Sequence, residues 1–379
     1  MMNSIQASCP TRVAMRFFGL GAVYCAFASL VGMTAWLHPA TLHAQTRYVA
    51  VEYARPVNPG APTVIRSMNF TNEVAGGFQT NRRKSSALIL LANKGAEDVA
   101  GEQGAGNSVA YGINDQGEIA GVYNTSTAQR PFRAVRRVGF QELTLPAGSN
   151  GGIAYAINEI GEVAGYVSGS TGIRPVWWTR RGEVQLLQSH GNLATQALDL
   201  NYRGDFVGVS GGEPKAAVLW PRKGAIVSLG NLPGFTHSEA VAISENGTIA
   251  GMATGFGEFP TRSRAVLWQP GGLAIQDLGA LPGGTDSRAR DVNNRGEVVG
   301  SSTSPDGDRA FIWTALSGMR DLNTLVTVPG LVMTDALSVN RRGDIVVMGH
   351  DPGADTHTEP DKHVDHHTAP RIFVLRPLQ

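Results

Sequence analysis

The sequence contains two cysteines in 379 residues, Cys9 and Cys25, and both lie within its first 45 residues. The rest of the chain therefore has no disulfide, no thiolate nucleophile and no thiolate metal ligand, so its fold depends on an apolar core. Charged residues are also sparse, at 17%, and the 32 basic side chains nearly balance the 31 acidic ones. This balance predicts no basic face for nucleic acid or for an anionic membrane surface.

The first 45 residues have the pattern of an export signal. Arg12 and Arg16 precede an apolar run from Phe17 to Leu37, and a small, turn-prone stretch ends at Ala44. This order is typical of a secretory signal peptide. We therefore predict cleavage after Ala44, a signal segment at residues 1–45 followed by one domain at 46–379, and a secreted or periplasmic protein. An uncleaved anchor is the alternative, because an apolar run of about 20 residues can also span a bilayer.

Glycine, in contrast, is abundant, with 47 residues, and much of it belongs to a unit that occurs seven times. The unit reads Asn, two residues, Gly, three residues, Gly, with an apolar segment on each side. Its copies begin at Asn69, Asn114, Asn158, Asn201, Ser244, Asn293 and Asn340. The last positions of successive copies are separated by 45, 44, 43, 43, 49 and 47 residues. A repeat of this length indicates an array of similar supersecondary units.

Each copy of the unit predicts a tight β-hairpin. The Asn begins a type I turn, and the first Gly supplies the positive φ that closes it. The first copy has Asn72 in place of this Gly, and Asn is the next best residue in the left-handed region. The last copy has Val347 in place of the second Gly. We interpret the repeated Asn and Gly residues as turn formers and not as ligands.

The second half of each repeat contains two further strand patterns, so that each unit of about 44 residues has four strands. This is the content of one propeller blade, and we predict an all-β fold, a seven-bladed β-propeller with four-stranded blades. The third strand of four copies ends in Trp178, Trp220, Trp268 or Trp313. We expect these side chains to pack between blades, with a stacking platform for a sugar ring as the alternative.

The two ends of the repeat region predict how the ring closes. The seventh copy has only three strand patterns, the last at 371–375, whereas Tyr48–Tyr53 is an apolar strand that precedes the first copy. If the N-terminal strand completes the last blade, the ring closes and no sheet edge is left exposed. Six blades are the alternative if the first or the last copy is not a true repeat.

The repeat resembles that of a bacterial extracellular family named for its His-Ala-Phe (HAF) motif. The Asn and Gly pattern carries the resemblance, together with the run Arg-Ala-Phe-Ile-Trp at 309–313 and the run Asp-Leu-Gly-Ala-Leu-Pro-Gly-Gly at 277–284. It covers nearly all of residues 60–349. No literal His-Ala-Phe occurs, because Arg309 and Arg264 stand where His would be. The resemblance implies export and a repeated structure, but no defined activity.

One segment, at about 350–370, is not explained by the repeat, and it makes the connection after the second strand of the last copy about 15 residues longer than elsewhere. It is rich in histidine and carboxylate side chains, which are ligands of zinc, copper and nickel. The histidines are His350, His357, His363, His366 and His367. They are candidate ligands of a divalent metal ion, but we interpret the segment as a solvated loop and predict no cofactor, with metal binding as the alternative.

The sequence contains no recognisable catalytic motif, neither a Gly-x-Ser-x-Gly elbow, nor a phosphate loop, nor His-Glu-x-x-His. Asp199, Glu239 and Asp291 precede the repeated turns at what we interpret as different offsets, so they predict no carboxylate pair. We therefore predict an exported, monomeric, non-catalytic binding or scaffold module whose partner is a protein or a glycan. The alternatives are an exported carbohydrate-active hydrolase or lyase, and a metal-binding protein that acts through 350–367.

Overall fold

Seven four-stranded antiparallel sheets form a ring in the computed structural model of the protein, which is a seven-bladed β-propeller. The structure describes residues 47–53, 63–81, 84–92, 94–99, 107–136, 138–189, 194–255, 262–271, 274–352 and 370–378. The predicted fold class, blade number and four-stranded blades are confirmed. None of the helices within these ranges is long and apolar enough to cross a bilayer. The predicted signal segment lies outside the described residues.

The blades follow one another along the chain, and in blades 1 to 6 the strands run in order from the inner to the outer edge. Blade 1 contains β2 (Thr63–Met68), β3 (Val74–Asn81), β4 (Lys84–Leu91) and β5 (Gly95–Asp98). Blade 2 contains β6 (Ser108–Ile113), β7 (Glu118–Asn124), β8 (Gln129–Val135) and β9 (Gly139–Glu142). Blade 3 contains β10 (Ser149–Ile157), β11 (Val163–Gly169), β12 (Gly172–Trp178) and β13 (Val184–Leu186).

The remaining four blades have the same plan. Blade 4 contains β14 (Thr195–Leu200), β15 (Phe206–Ser210), β16 (Ala216–Trp220) and β17 (Val227–Gly230), and blade 5 contains β18 (His237–Ile243), β19 (Ile249–Gly255), β20 (Arg262–Trp268) and β21 (Ile275–Asp277). Blade 6 contains β22 (Ser287–Val292), β23 (Val298–Ser304), β24 (Gly307–Thr314) and β25 (Gly318–Asp321). Blade 7 contains β26 (Val332–Val339), β27 (Ile345–His350), β28 (Arg371–Pro377) and, at its outer edge, β1 (Tyr48–Glu52).

The N-terminal strand completes the last blade, as predicted. β1 pairs with β28 from Tyr48 opposite Pro377 to Glu52 opposite Phe373. Tyr53, which follows the strand, is 1% exposed and packs in a core cluster that contains residues of blades 1 and 7. Its hydroxyl donates a hydrogen bond of 2.5 Å to the carbonyl of Asn72 in blade 1. The closure therefore joins the first and last blades by backbone pairing, apolar packing and a buried hydrogen bond.

The repeated turns adopt the predicted geometry. In blade 2, the Gly117 N–H donates to the Asn114 carbonyl and the Asn114 N–H donates to the Glu118 carbonyl, each at 3.0 Å. The first Gly of the unit has φ between 71° and 90° in six copies, at Gly117, Gly161, Gly204, Gly247, Gly296 and Gly343. Asn72 has φ of 64° in the remaining copy, which explains why Asn is tolerated there.

The Asn side chains also join neighbouring blades, which the sequence did not predict. In blade 3, the Oδ1 atom of Asn158 accepts from the N–H groups of Ile160 and Glu162, and its Nδ2 atom donates to the carbonyl of Asn201 in blade 4, at 3.1 Å. The same bond to the next blade starts from Asn69, Asn114, Asn201, Asn293 and Asn340, and the last of these returns to Asn69. These buried amides therefore form a nearly complete ring of hydrogen bonds, and their polar atoms are used by the fold.

Blade 5 has Ser244 at the position of the turn Asn, and a different residue forms its link to the next blade. The Ser244 hydroxyl accepts from the Thr248 N–H at 3.0 Å, which preserves the turn, but it does not reach the next blade. Asn246, two residues on, donates from Nδ2 to the carbonyl of Asn294 in blade 6, also at 3.0 Å. The link between blades is therefore preserved although the residue that makes it has moved.

The second Gly of the unit faces a backbone carbonyl of the inner strand. A Cβ atom on Gly165 would lie 2.0 Å from the carbonyl oxygen of Ile153, because an irregularity in β10 brings the two strands close together. Blade 7, which has Val347 here, contains an additional irregularity in β26, and the close approach moves to Gly349, 2.3 Å from the carbonyl oxygen of Val332. The second Gly is therefore required by close packing and not by a turn.

Substitution of Gly165 by Ala should destabilise the protein by about 3 kcal/mol, because no side-chain rotation relieves a clash with backbone. Gly255→Ala is the matched control, since its Cβ would meet no atom closer than 4.0 Å. Urea unfolding of the two variants checks this prediction. Equal unfolding midpoints for Gly165→Ala and Gly255→Ala would show that the inner two strands of blade 3 can move apart without loss of stability.

The tryptophans at the ends of the third strands pack between blades, as predicted. Trp178 and Trp268 are fully buried, and Trp220 is 3% exposed. Their indole N–H groups donate to carbonyls that follow or belong to the fourth strand of the preceding blade, those of Thr144, Gln188 and Leu229. Buried rings of this kind are not available as stacking platforms for a sugar.

Candidate functional site

A β-bulge occurs at the same place in the inner strand of every blade. It inserts one extra residue, three positions before the turn Asn or Ser, and this residue lines the central channel. The seven residues are Arg66, Tyr111, Tyr155, Leu198, Val241, Arg290 and Leu337. Because bulges direct a side chain out of the regular alternation, the fold presents one side chain per blade to the channel.

The channel has two different mouths. The inner strands begin at one face of the ring, here named the upper face, and the repeated turns lie on the opposite, lower face. A cavity of about 450 Å³ opens at the upper mouth, which is in the size range of small-molecule sites. Its polar and aromatic lining comes from Arg66, Tyr111, Tyr155, Gln196, Glu239, Arg288 and Arg290. Below it the channel narrows to a section of about 140 Å³.

Blades 1 to 3 supply a cation and an aromatic wall to the upper mouth. The rings of Tyr111 and Tyr155 meet edge to face, with their centroids 5.3 Å apart. The guanidinium of Arg66 lies 5.3 Å from the centroid of the Tyr111 ring, in position for a cation–π interaction. The Tyr155 hydroxyl donates to Gln196 at 3.4 Å, and burial raises the pKa of this tyrosine.

Blades 6 and 1 make one side of the upper mouth basic. Arg290 is neutralised by Asp335, to which it donates three hydrogen bonds, at 2.9 and 3.2 Å to Oδ2 and 3.4 Å to Oδ1. Arg66 and Arg288 are exposed, and neither forms an ion pair with any described residue. The charge of Arg288 favours the ionised forms of Asp286 and Asp335, so these carboxylates partly compensate it, whereas Arg66 has no ion-pair partner within the described part of the chain.

Glu239 in blade 5 is the sole carboxyl among the described residues that line the upper cavity. Burial raises the pKa of Glu239, and the charge of Lys215 partly opposes this effect. The Glu239 side chain forms no hydrogen bond with the described residues, so its oxygens can accept from, or donate to, a ligand hydroxyl.

Asp199 and Asp291 line the narrow section of the channel at equivalent positions, two residues before the turn Asn of blades 4 and 6. The interpretation that these carboxylates stand at different offsets is therefore wrong for this pair, although Glu239 does lie elsewhere. Asp199 accepts from the Ile243 N–H of the next blade, and Asp291 accepts from the Val339 N–H, both at 2.8 Å. Both carboxyls thus join neighbouring blades.

Asp199 should make the stability of the protein depend on pH. Burial raises the pKa of Asp199 to about 8, the N–H groups of Ile243 and Leu200 lower it, and the charge of Asp291 raises it. The folded state therefore binds this proton more tightly than the unfolded state, whose carboxyl titrates near pH 4. The stabilisation that comes from this protonated carboxyl is fully present below about pH 4 and is lost as the pH rises towards 8.

We expect Asp199→Asn to keep about 3 kcal/mol that the wild type loses between pH 4 and 8, which is less than the full pKa difference because Asp199 is only half-buried and lines the channel. Asp291→Asn is the comparison: burial raises the pKa of Asp291 only to about 6, because the Ser338 hydroxyl and the N–H groups of Val339 and Val292 favour its charged form. Urea unfolding at several pH values measures both. Parallel stability curves for Asp199→Asn and the wild type would contradict the assignment.

The lower mouth is also polar, but its carboxylates are used by the fold. Asp115 accepts from the Phe70 N–H at 2.7 Å, Glu159 accepts from the Asp115 N–H at 3.2 Å, and Glu245 accepts from the Tyr202 N–H at 2.8 Å. Each bond joins neighbouring blades, and Arg341 adds an ion pair with Asp115. The acidic groups of this mouth are therefore structural.

Only one of the five candidate metal ligands can be placed. His350 is half-buried at the end of β27, opposite Val332, so it lies at the upper face. His357, His363, His366 and His367 lie outside the described residues. Within the described ranges, no group of three or more His, Cys, Asp or Glu side chains is arranged to hold a metal ion. Metal binding by this segment stays a prediction.

The residues of the upper mouth were missed by sequence reasoning, although a pattern for them exists. When the seven copies are aligned on the turn Asn, the bulged residue stands three positions before it and Gln196, Glu239 and Arg288 stand five positions before it. Large or charged side chains at these two positions interrupt otherwise apolar inner strands. A comparison of these positions across the copies would have identified the mouth.

No protein-family model matches the sequence, and no curated protein matches it either. Solved structures do match in fold. A streptogramin B lyase structure aligns with a TM-score of 0.52 and 11% identity, over 88% of this chain and 98% of that chain. An oligogalacturonate lyase in complex with manganese aligns with a TM-score of 0.52 and 12% identity, over 88% and 97% of the two chains. At this identity the likeness shows the propeller fold alone.

Proposed function

We propose that this protein is an exported, non-catalytic binding module whose ligand site is the upper mouth of the channel. The observation that carries the proposal is a contrast between the two mouths. The carboxylates of the lower mouth bind neighbouring blades, whereas Arg66, Arg288 and Glu239 at the upper mouth form no ion pair with the described residues. A concave cavity with a few converging polar groups that the fold does not use is the usual form of a ligand site.

Differences among the seven copies support the same proposal. The turn Asn and Gly residues recur because every blade needs them to fold and to bind its neighbour. The residues three and five positions before the turn range from apolar to aromatic, amide and charged side chains among the blades, so the fold does not prescribe them. An asymmetric set of side chains on a nearly symmetric ring suits a single ligand with a defined orientation.

The acid–base groups at the upper mouth support binding more than glycoside hydrolysis. Hydrolysis of a glycosidic bond ordinarily uses two carboxyl groups about 5 to 10 Å apart. Within the described part of the cavity lining there is one, Glu239. Export is supported by the signal pattern of residues 1–45 and by the resemblance to an extracellular repeat family. A carbohydrate-active enzyme is the alternative, and turnover of a bound sugar distinguishes it.

Thermal unfolding of residues 45–379 with a panel of ligands tests the proposal. The panel contains neutral and acidic disaccharides, acidic peptides, zinc, copper and nickel, because a ligand of the folded state raises the midpoint. The blocked variant Leu198→Trp/Leu337→Trp fills the upper mouth, and Leu316→Trp, 74% exposed outside it, is the matched control.

We expect an organic ligand to raise the midpoint of the wild type and of the control, but not of the blocked variant. A shift that persists in the blocked variant would contradict the assignment of the site. Turnover of the ligand would contradict a non-catalytic role. If only metals raise the unfolding midpoint, and deletion of 351–368 abolishes that rise, the metal-binding alternative replaces the proposal.

A further inference from the structure

The two guanidinium groups of the upper mouth that form no ion pair with a described residue lie on the same side of the cavity. Arg66 belongs to blade 1 and Arg288 to blade 6, so only blade 7 separates them, and blade 7 contributes Leu337 to the lining. Arg290 is paired with Asp335, and Asp286 and Asp335 compensate Arg288 only in part, so Arg66 and Arg288 are the cations available to a ligand of the cavity. This side of the mouth therefore favours an anionic group.

The cation–π contact suits Arg66 for recognition of a planar anion. The contact with the Tyr111 ring restrains the guanidinium, and its N–H groups donate no hydrogen bond to the described residues, so they are available to a ligand. Those donors match the two oxygens of a carboxylate. Arg288 brings a second set of donors into the same cavity. A carboxylate between the two groups would have a charged donor on each side.

The opposite side of the cavity offers groups of a different kind. Gln196 keeps its two amide N–H donors, and the Tyr155 hydroxyl, which donates to Gln196, keeps its capacity to accept. Glu239 has a carboxyl with no hydrogen-bond partner among the described residues. Such groups hydrogen-bond to hydroxyl groups, which a simple aliphatic acid lacks. The two sides together match a molecule that carries a carboxylate at one end and several hydroxyls at the other.

We infer that the ligand of the upper mouth is a sugar acid: a uronate, as a monosaccharide or at the end of a short oligosaccharide, with its carboxylate on Arg66 and Arg288. This inference rests on the proposed function and names its ligand class. The volume of about 450 Å³ and the narrowing of the channel below it favour one or two sugar rings.

Calorimetric titration of residues 45–379 tests the inference with two probes, digalacturonate and the unsulfated hyaluronan disaccharide. The dimethyl ester of digalacturonate is the matched neutral ligand, because it keeps the rings and hydroxyls and removes the charges. Arg66→Gln/Arg288→Gln is the test variant. Arg262→Gln is its control, since Arg262 is exposed at the start of β20 and does not line the cavity.

We expect at least one of the two acids to bind the wild type, and the double variant to bind it at least about 100-fold more weakly, as the loss of two charged hydrogen-bond donors implies. The ester should bind at least about 30-fold more weakly than the acid, and Arg262→Gln should bind within about twofold of the wild type.

Three outcomes would overturn the inference. If neither acid binds, or if the ester binds as tightly as the acid, the ligand class is wrong; another ligand that the blocked variant fails to bind would then still support the upper mouth as the site. If an acid binds equally well to the wild type, the double variant and the blocked variant, both the ligand class and the site are wrong.

Discussion

A chain that lacks residues 47–53 should be less stable than the intact mature chain by on the order of 5 kcal/mol, comparable to the whole stability of many domains. The deletion removes the outer strand of blade 7, with the buried side chains of Tyr48 and Tyr53. It also exposes the edge of β28, whose backbone groups then have no partner. Urea unfolding of residues 45–379 and 54–379 measures the difference.

Addition of the missing strand as a separate peptide is the control for this deletion. A peptide of residues 46–54 should pair with the free edge of β28 and restore part of the lost stability, whereas a scrambled peptide of the same composition should not. Equal unfolding midpoints for the long and short chains would show that the ring does not depend on β1 for closure.

Asn158→Ala should destabilise the protein by about 3 kcal/mol, because it removes hydrogen bonds within the turn and to the next blade and leaves buried backbone groups unsatisfied. Asn158 is 4% exposed, and it also donates to the carboxylate of Glu162 at 3.1 Å. Asn158→Asp separates the two functions of the side chain. It keeps an oxygen that accepts within the turn, but it loses the donor to Asn201 and places a charge beside Glu162.

Blade 5 suggests a rescue of this variant. Asn158→Ser combined with Ile160→Asn reproduces the arrangement of Ser244 and Asn246, and Ile160 is already 48% exposed, so a polar residue is accepted there. We expect the double variant to recover at least half of the stability lost in Asn158→Ala, by urea unfolding. A double variant no more stable than Asn158→Ala would contradict the assignment of the link between blades to these side chains.

The features that were predicted from the sequence are those that local residues determine. A turn with Asn at its start and positive φ at its Gly is a local structure, so seven copies could be counted and their hairpins assigned. The pairing of Tyr48–Glu52 with the last blade followed from the count of strands, because the seventh copy had three strand patterns and the N-terminal strand belonged to no copy.

The features that were missed depend on residues far apart in the sequence. The Asn158 amide binds a carbonyl 43 residues on, which requires the curvature of the ring and cannot be read from a turn sequence. The upper mouth depends on bulges, and a bulge changes which side chains face the channel without an obvious change in composition. Asp199 and Asp291 were not recognised as equivalent for the same reason, since their shared position matters only once the inner strands surround a channel.

A crystal structure of residues 45–379 soaked with digalacturonate or with the hyaluronan disaccharide, whichever binds more tightly, tests the central claim most directly. We predict that the sugar occupies the upper mouth, with its carboxylate oxygens about 3 Å from the guanidinium nitrogens of Arg66 and Arg288 and a hydroxyl beside Glu239. A sugar bound on the lower face or on the outer strands, with the upper mouth empty of ligand, would contradict the account.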